Sequence, residues 1–237
     1  SRAQRIVVAD PLGASLNPRF SDDGRRLFWS VKEKTGRRVR QSALGRTPGS
    51  ENPFAGWHLA IADFERPEGG RAEIERRVDL YRGEGGYFEA QAMLGDTILF
   101  SHTPGGQRFV ESLYRARSDG SDRVALTAVP STAWNASGMP SPGRSLVTFT
   151  SSRSFDWSYA RDKRSKLRLE LWALTGGGDL VQLTDFNKEL PDQSKRVIVA
   201  DHAWGPSGRD IAVYSSAIGG DGTVRQRITI LSLNEAF

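Results

Sequence analysis

Apolar and polar positions follow a repeated order along this chain: a Gly-containing turn, a short apolar strand, and an exit at Ser or Thr. Four copies occur, NPRFSDDGRRLFWS, EAQAMLGDTILFS, NASGMPSPGRSLVTFTS and HAWGPSGRDIAVYSS, which begin at Asn17, Glu89, Asn135 and His202. Each copy is followed by segments that mix β-branched and aromatic residues between turn residues, as strands do. A unit of this size cannot bury its apolar face alone, so repeated units must pack on one another.

The repeat predicts an all-β fold. Each unit supplies four strands, and four antiparallel strands repeated around an axis are the composition of a β-propeller blade. The predicted blades cover residues 17–81, 87–129, 133–186 and 196–237 of a single domain that spans 1–237. We therefore expect a four-bladed β-propeller of four-stranded antiparallel blades.

The two ends of the chain are predicted to complete one blade. The last unit lacks an outer strand, and the chain begins with QRIVVAD, a segment that has no inner strand before it. The simplest interpretation is that residues 5–9 pair with the last blade and close the ring, because closure removes two exposed sheet edges. The alternative is part of a larger propeller, or half of one that a partner chain completes.

Three of the blocks resemble the TolB-like propeller repeat: NPRFSDDGRRLFWS, PSPGRSLVTFTSSR and AWGPSGRDIAVYSS. The segments DLVQLTDF and DRVALTAV resemble the Leu-Thr outer strand of that family. The second unit, AQAMLGDT, departs from the pattern because it lacks the Pro-Asp pair. The resemblance implies a non-enzymatic scaffold module that docks a protein or peptide at one end of its channel, in a periplasmic or extracellular protein of bacteria.

Composition sets limits on the class of protein. A chain of 237 residues with 38% hydrophobic and 26% charged residues is typical of a soluble globular domain. Its apolar runs are only a few residues long, so we expect no membrane span. The absence of cysteine excludes disulfides, thiolate metal sites and a Cys nucleophile.

Three long connections are predicted to lie on one face of the propeller, because strand parity places the loops between the second and third strands beside the links between blades. They are residues 32–56, 152–168 and 185–201. Long loops on a rigid scaffold are common binding sites. The alternative is insertion that the fold simply tolerates.

Two of these loops concentrate positive charge. Residues 32–56 and residues 152–168 each hold six basic and two acidic residues, whereas the whole chain has a net charge of +5. A field of this kind attracts anionic partners, although a charged face that only favours solubility is the alternative. We predict an acidic protein, another subunit of a complex or a polyanionic glycan as partner, and no specific nucleic acid.

Aromatic residues accompany the charge in the second loop, where Phe155, Trp157 and Tyr159 alternate with polar residues. In an extended segment these side chains point one way and could form a stacking platform. Packed down, they would instead pin the loop to its neighbours. The predicted partner-binding residues are Arg37, Arg38, Arg40, Arg153, Trp157, Tyr159, Arg161, Lys163 and Arg164.

Catalytic motifs are missing from the sequence. His58, His102 and His202 are far apart, no G-x-S-x-G elbow occurs, and no His and carboxylate spacing fits a metal site. We therefore predict no catalytic residue, no metal and no cofactor. The alternative is a carbohydrate-binding or glycoside-cleaving propeller with carboxylates at the channel mouth, unless these acids only cap turns. The candidate acids are Asp10, Glu89, Asp156 and Asp201.

Overall fold

The structure is a computed structural model of the chain. It describes residues 14–32, 55–65, 73–105, 107, 109–128, 133–143, 145–162, 166–188, 190 and 195–233. The predicted closing strand, residues 5–9, lies outside the described residues. The same holds for several predicted site residues: Asp10, Arg37, Arg38, Arg40, Lys163 and Arg164.

Strands dominate the described residues, and those of the first half of the chain form two four-stranded antiparallel sheets. The first sheet consists of β1 (Ala14–Phe20), β2 (Arg26–Lys32), β3 (Trp57–Glu65) and β4 (Glu73–Leu80). The second consists of β5 (Tyr87–Leu94), β6 (Thr97–Thr103), β7 (Ser112–Arg117) and β8 (Val124–Ala125). In each sheet every strand is hydrogen-bonded to the next one along the chain.

Two more antiparallel sheets follow. The third consists of β9 (Asn135–Pro140), β10 (Leu146–Ser151), β11 (Glu170–Thr175) and β12 (Leu180–Gln182). The fourth consists of β13 (Arg196–Trp204), β14 (Asp210–Ile218) and β15 (Val224–Ser232). One helical turn, α1 (Tyr159–Asp162), lies between β10 and β11. Within the described ranges, no helix has the length and apolar character that a membrane crossing requires.

The predicted all-β fold is confirmed, and so is its division into four antiparallel sheets. Three sheets have the four strands expected of a blade, whereas three strands are described in the fourth. In that sheet β15 pairs with β14. The strand predicted on its other side belongs to residues 5–9, so ring closure stays a prediction.

The turn between β1 and β2 forms for local chemical reasons. The amide of Gly24 donates to the carbonyl of Ser21 at 2.9 Å, and the amide of Arg25 donates to Oδ1 of Asp23 at 3.0 Å. Gly24 has a φ of 71°, in the left-handed region that glycine adopts without a Cβ clash. Hydrogen bonds from Ser21 and Arg25 hold the pKa of Asp23 below its ordinary value.

The first strand of every sheet shifts register once against the second strand. Such a β-bulge leaves a residue outside the ladder and re-aims nearby side chains. Two of the bulged residues, Asn17 and Ser137, have φ values of 51° and 54°. The residues at the shifts are Asn17 and Pro18 in β1, Gln91 in β5, Ser137 and Gly138 in β9, and Ala200 in β13.

The contacts divide the chain into two compact units. Unit 1 consists of Ser1–Arg108 and Tyr114–Val124, and unit 2 consists of Phe109–Leu113 and Ala125–Phe237. Unit 1 therefore holds β1 to β6 and most of β7, whereas unit 2 holds β9 to β15.

Aromatic side chains fill the core of unit 1. Phe28 of β2, Phe88 of β5 and Phe100 of β6 are fully buried in one apolar cluster. The ring of Tyr81 stacks on that of Phe88 at a centroid distance of 5.3 Å. Burial of one such side chain contributes about 2–3 kcal/mol relative to exposure, so this cluster fixes how the first two sheets pack.

Unit 2 has smaller apolar clusters. Leu113, Phe149 and Leu174 are buried together, and Ile211 and Val213 of β14 are fully buried as well. The alternation of buried and more exposed residues along β14 is the pattern that a half-buried strand requires.

The Ser or Thr that recurs after each apolar strand has a structural role where the contacts show it. Ser30, Ser101 and Thr150 are buried. Oγ of Ser30 accepts from the amide of Ala90 at 2.9 Å, and Oγ1 of Thr150 donates to the carbonyl of Ala136 at 3.2 Å. These hydroxyls bond backbone groups of Ala90 and Ala136, the paired residues that directly precede the register shifts in β5 and β9.

Candidate functional site

Arg153, a predicted partner-binding residue, is held within unit 2. Its guanidinium lies over the rings of Phe149 and Trp172, at 5.1 and 5.0 Å from the ring centroids. Its Nε donates to Oγ of Ser151 at 3.2 Å, and one terminal nitrogen donates to Oδ1 of Asn135 at 3.1 Å. Burial lowers the pKa of Arg153. This side chain therefore stabilises the packing around β10.

Arg161 is engaged by two carboxylates of its own loop. A terminal nitrogen lies 2.8 Å from Oδ2 of Asp162 and 3.2 Å from Oδ1 of Asp156. Hydrogen bonds from Arg161 lower the pKa of Asp162 to about 2. The positive charge of Arg161 is thus balanced locally, which weakens its contribution to any basic face.

The aromatic residues of the same loop do not share one face. The segment turns after Ser152 and enters α1, so the alternation expected of an extended strand does not apply. Trp157 is buried, and the ring of Tyr159 packs on Phe109 at 4.6 Å. Phe155 is partly exposed, with the guanidinium of Arg168 5.8 Å from its centroid. Packing of Trp157 and Tyr159 leaves no common stacking platform.

A carboxylic acid with an unusual environment lies in unit 1. Glu89 is the third residue of β5, and its side chain is partly buried. Nδ2 of Asn17 donates to Oε1 at 2.7 Å, and the hydroxyl of Tyr87 donates to Oε2 at 3.1 Å. The bulge in β1 gives Asn17 its left-handed backbone and aims its amide at the carboxyl group.

Burial raises the pKa of Glu89 above its ordinary value. Hydrogen bonds from Tyr87 and Asn17 and the positive charge of Arg19 act in the opposite direction, because they favour the ionised form. Desolvation outweighs them. Glu89 therefore keeps its proton to higher pH than an ordinary glutamate.

The wall beside Glu89 is aromatic. The rings of Tyr87 and Trp57 meet edge to face at a centroid distance of 5.5 Å, and Nζ of Lys32 lies 5.7 Å from the Trp57 ring centroid. Burial lowers the pKa of Lys32. These contacts fix the hydroxyl of Tyr87, and through it the orientation of the Glu89 carboxyl group.

Two other candidate acids lie elsewhere in the structure. Asp156 is 95% exposed at its side chain and pairs with Arg161. Asp201 is exposed on β13, where its Oδ1 accepts from the amide of His202 at 2.8 Å. Both acids belong to unit 2, whereas Glu89 belongs to unit 1.

The three histidines are held by packing. His58 is buried, with Nε2 3.6 Å from Oδ1 of Asp79. His102 stacks on Phe88 at 4.0 Å, and burial lowers the pKa of His102 to about 4. Burial also lowers the pKa of His202 to about 4. Over the ranges that the structure covers, no three His, Asp or Glu residues are grouped as metal ligands.

Known proteins resemble this chain in fold and not in sequence. No protein-family model matches it, and no curated protein matches it. An oligogalacturonate lyase in complex with manganese matches with a TM-score of 0.51 and 11% identity, over 92% of this chain and 54% of that one. One of two prolyl endopeptidases matches with a TM-score of 0.52 and 10% identity, over 97% and 29%.

Prolyl oligopeptidase B from Galerina marginata, bound to a macrocyclization substrate, matches with a TM-score of 0.50 and 9% identity, over 92% of this chain and 26% of that one. These likenesses define a β-propeller-like all-β fold. The chain spans about half of the lyase and less than a third of each peptidase.

The predicted function is wrong in one respect. A non-enzymatic scaffold was inferred from the resemblance of the repeats, whereas the solved structures that share the fold are a lyase and peptidases. The repeats determine strands and turns and carry no information about chemistry. The partner classes, the role of the basic loops, the TolB-like assignment and the periplasmic or extracellular location stay predictions.

Sequence reasoning found Glu89 and missed its partners. Asn17 reaches the carboxyl group only because of the register shift in β1, and no local motif marks that shift. Tyr87 lies two residues before Glu89, on the same side of β5. That spacing was the signal that could have found it.

Proposed function

We propose that this chain is the propeller-like part of an enzyme in which Glu89 is the general acid. The observation that carries the proposal is the carboxyl group itself, which is partly buried, has a raised pKa, and is oriented by Asn17 and Tyr87. Enzymes raise the pKa of a glutamate in this way so that it can donate a proton near the working pH.

The hydrogen bonds favour one position for the proton. The NH2 group of Asn17 at Oε1 can only donate, whereas the hydroxyl of Tyr87 at Oε2 can turn and accept, so a proton on Glu89 belongs on Oε2. The partial exposure of Glu89 leaves room for a leaving-group oxygen or nitrogen to approach. A positioned acid of this kind contributes about 10²–10⁴-fold to a rate.

The fold comparisons support an enzyme, and they suggest two kinds of substrate to test. One matched protein is an oligogalacturonate lyase, and others are prolyl endopeptidases. All three matched chains are longer than this one, so we propose that the chain acts as one part of a longer enzyme.

The test measures turnover of oligogalacturonate and of proline-containing peptides by the longer enzyme that contains this chain. Three forms are compared: the natural enzyme, Glu89→Gln, and the matched control Glu75→Gln at an exposed position of β4. We expect Glu89→Gln to reduce turnover by about 10²–10⁴-fold, with the control unchanged. Carbon-13 titration of the Glu89 carboxyl group supplies a readout that needs no substrate. Full activity of Glu89→Gln, or an ordinary pKa of the Glu89 carboxyl group in the titration, would contradict the proposal.

We also propose that residues 5–9 form the fourth strand of the sheet of β13 to β15. Two observations support it: the other three sheets each have four strands, and β15 has one described neighbour. Proline cannot donate to a strand ladder, so Val7→Pro should lower the melting temperature, whereas Ser1→Pro should not. Equal melting temperatures would contradict the pairing.

A further inference from the structure

A cavity of about 660 Å³ opens in unit 2 at one end of the fourth sheet. Register brings its charged residues together: Arg196 of β13 pairs with Ile218 of β14, and Arg225 of β15 pairs with Ala217. Lys195 precedes β13 and also lines the cavity, as does the turn that joins β14 to β15. Cavities of this size hold small-molecule ligands.

The described residues that line the cavity carry a net positive charge. Among them are three cations, Lys195, Arg196 and Arg225, and one carboxylate, that of Asp221. Oδ1 of Asp221 accepts from the amide and the hydroxyl of Thr223 at 3.0 and 2.7 Å, and these bonds hold the pKa of Asp221 below its usual value. The carboxylate of Asp221 is therefore ionised, and its hydrogen bonds to Thr223 stabilise the turn.

Within the part of the chain that the structure describes, these cations form no salt bridge, although the positive charge of Arg225 helps to lower the pKa of Asp221. Among the described residues, no carboxylate lies within ion-pair distance of Lys195, Arg196 or Arg225. Nε of Arg196 is buried and has no hydrogen-bond partner among the described residues. A buried donor without an acceptor is unfavourable, so an oxygen supplied by a ligand would satisfy it.

We propose that this cavity binds a ligand with at least two oxyanion groups, carboxylate or phosphate. Guanidinium groups match both kinds of oxyanion with paired hydrogen bonds, and two arginines and a lysine at one sheet end can hold two such groups at once. This site is independent of Glu89, which lies in the other unit, so either proposal can fail alone.

Calorimetric titration tests the site with two probes, citrate for carboxylates and inorganic pyrophosphate for phosphates. We expect saturable binding of at least one probe, weakened by added salt. The double variant Arg196→Gln with Arg225→Gln should lose at least tenfold in affinity, and Arg209→Gln, an exposed cation of the same unit, should lose none. Tighter binding of citrate or of pyrophosphate identifies the group that the site prefers.

A melting curve for each variant separates loss of the site from loss of the fold. If the double variant does not fold, the single variant Arg225→Gln, on an exposed residue, replaces it and should still bind more weakly than the natural chain. No saturable binding of either probe, or equal losses in the double variant and the Arg209 control, would overturn the proposal.

Discussion

Nε2 of His202 lies 2.7 Å from Oγ1 of Thr148, and this contact is one of three made by a single buried hydroxyl group. Nε1 of Trp204 donates to the same oxygen at 2.9 Å, and the hydroxyl donates to the carbonyl of Met139 at 3.1 Å. A hydroxyl group donates once and accepts twice. His202 therefore carries its proton on Nε2.

Removal of that hydroxyl should strongly destabilise the protein. In Thr148→Val the N–H groups of buried His202 and of partly buried Trp204 both lose their acceptor, and each loss costs about 1–3 kcal/mol. We expect the free energy of unfolding to fall by about 3 kcal/mol in denaturant titrations. Thr150→Val is the matched control, because its hydroxyl makes one bond to Ala136, and it should cost about 1 kcal/mol. Equal losses would contradict the shared network.

Acid should destabilise the protein through His202. Its pKa is about 4 in the folded state against an ordinary 6.5, so the unfolded chain takes up a proton first as the pH falls. The contribution of His202 to stability is therefore fully present above pH 6.5 and decreases by about 3 kcal/mol as the pH falls to about 4. His202→Gln should flatten the decrease in a series of denaturant titrations across that range. If stability depends on pH as steeply in His202→Gln as in the natural chain, His202 does not have the lowered pKa.

Glu89 should have the opposite pH dependence. Its folded pKa is raised from 4.5, so its contribution to stability is fully present below pH 4.5 and is lost as the pH rises through the raised value. Glu89→Gln keeps the neutral form at all pH values. We expect this variant to melt at a higher temperature than the natural chain at neutral pH, with the two curves converging in acid. A lower melting temperature at neutral pH would show that ionised Glu89 stabilises the fold.

Gly86 and Gly83 form a matched pair of glycines with positive φ, 87° and 84°. A Cβ at position 86 would collide with the carbonyl oxygen of Thr103, whereas a Cβ at position 83 meets nothing within 4 Å. Gly83→Ala should cost about 1 kcal/mol for its backbone conformation. Gly86→Ala should cost more than about 3 kcal/mol, because backbone must move. Thermal unfolding of the two variants measures the difference, and similar melting temperatures would disprove the close contact.

Arg153 should matter for stability. Arg153→Lys loses the contacts of a planar guanidinium with Phe149 and Trp172 and its bond to Asn135. We expect a loss of about 1–2 kcal/mol in unfolding free energy. Arg209→Lys, on an exposed residue, should stay within about 0.5 kcal/mol of the natural chain. If both variants have the unfolding free energy of the natural chain, Arg153 does not stabilise the packing around β10.

The sequence was most informative where local chemistry decides the structure. Turns such as Ser21–Gly24 and the apolar strands after them were predictable from local chemistry. The side chains of Ser and Asp hydrogen-bond nearby backbone amides there, and Gly adopts the positive φ that the turn requires. The Ser and Thr at the strand exits were visible as a pattern, but their role was not, since Ser30 bonds an amide 60 residues away.

The candidate site was only partly predictable. Glu89 stood out as an acid at a strand start, whereas its pKa depends on burial that arises when β1 and β5 pack. The loop around Trp157 was predicted from a local alternation, and tertiary packing overrides that alternation by turning the segment into α1. Arg153 was read as a surface charge because a sequence does not show which rings lie beneath a guanidinium group.

The register shifts have a consequence for how this fold can change over evolutionary time. A residue that stands outside the ladder can be exchanged without breaking the pairing of its neighbours. Each sheet has one such register shift on its first strand, and the shift in β1 already supplies the amide that orients an acid. New chemistry can therefore be acquired one sheet at a time on an unaltered scaffold.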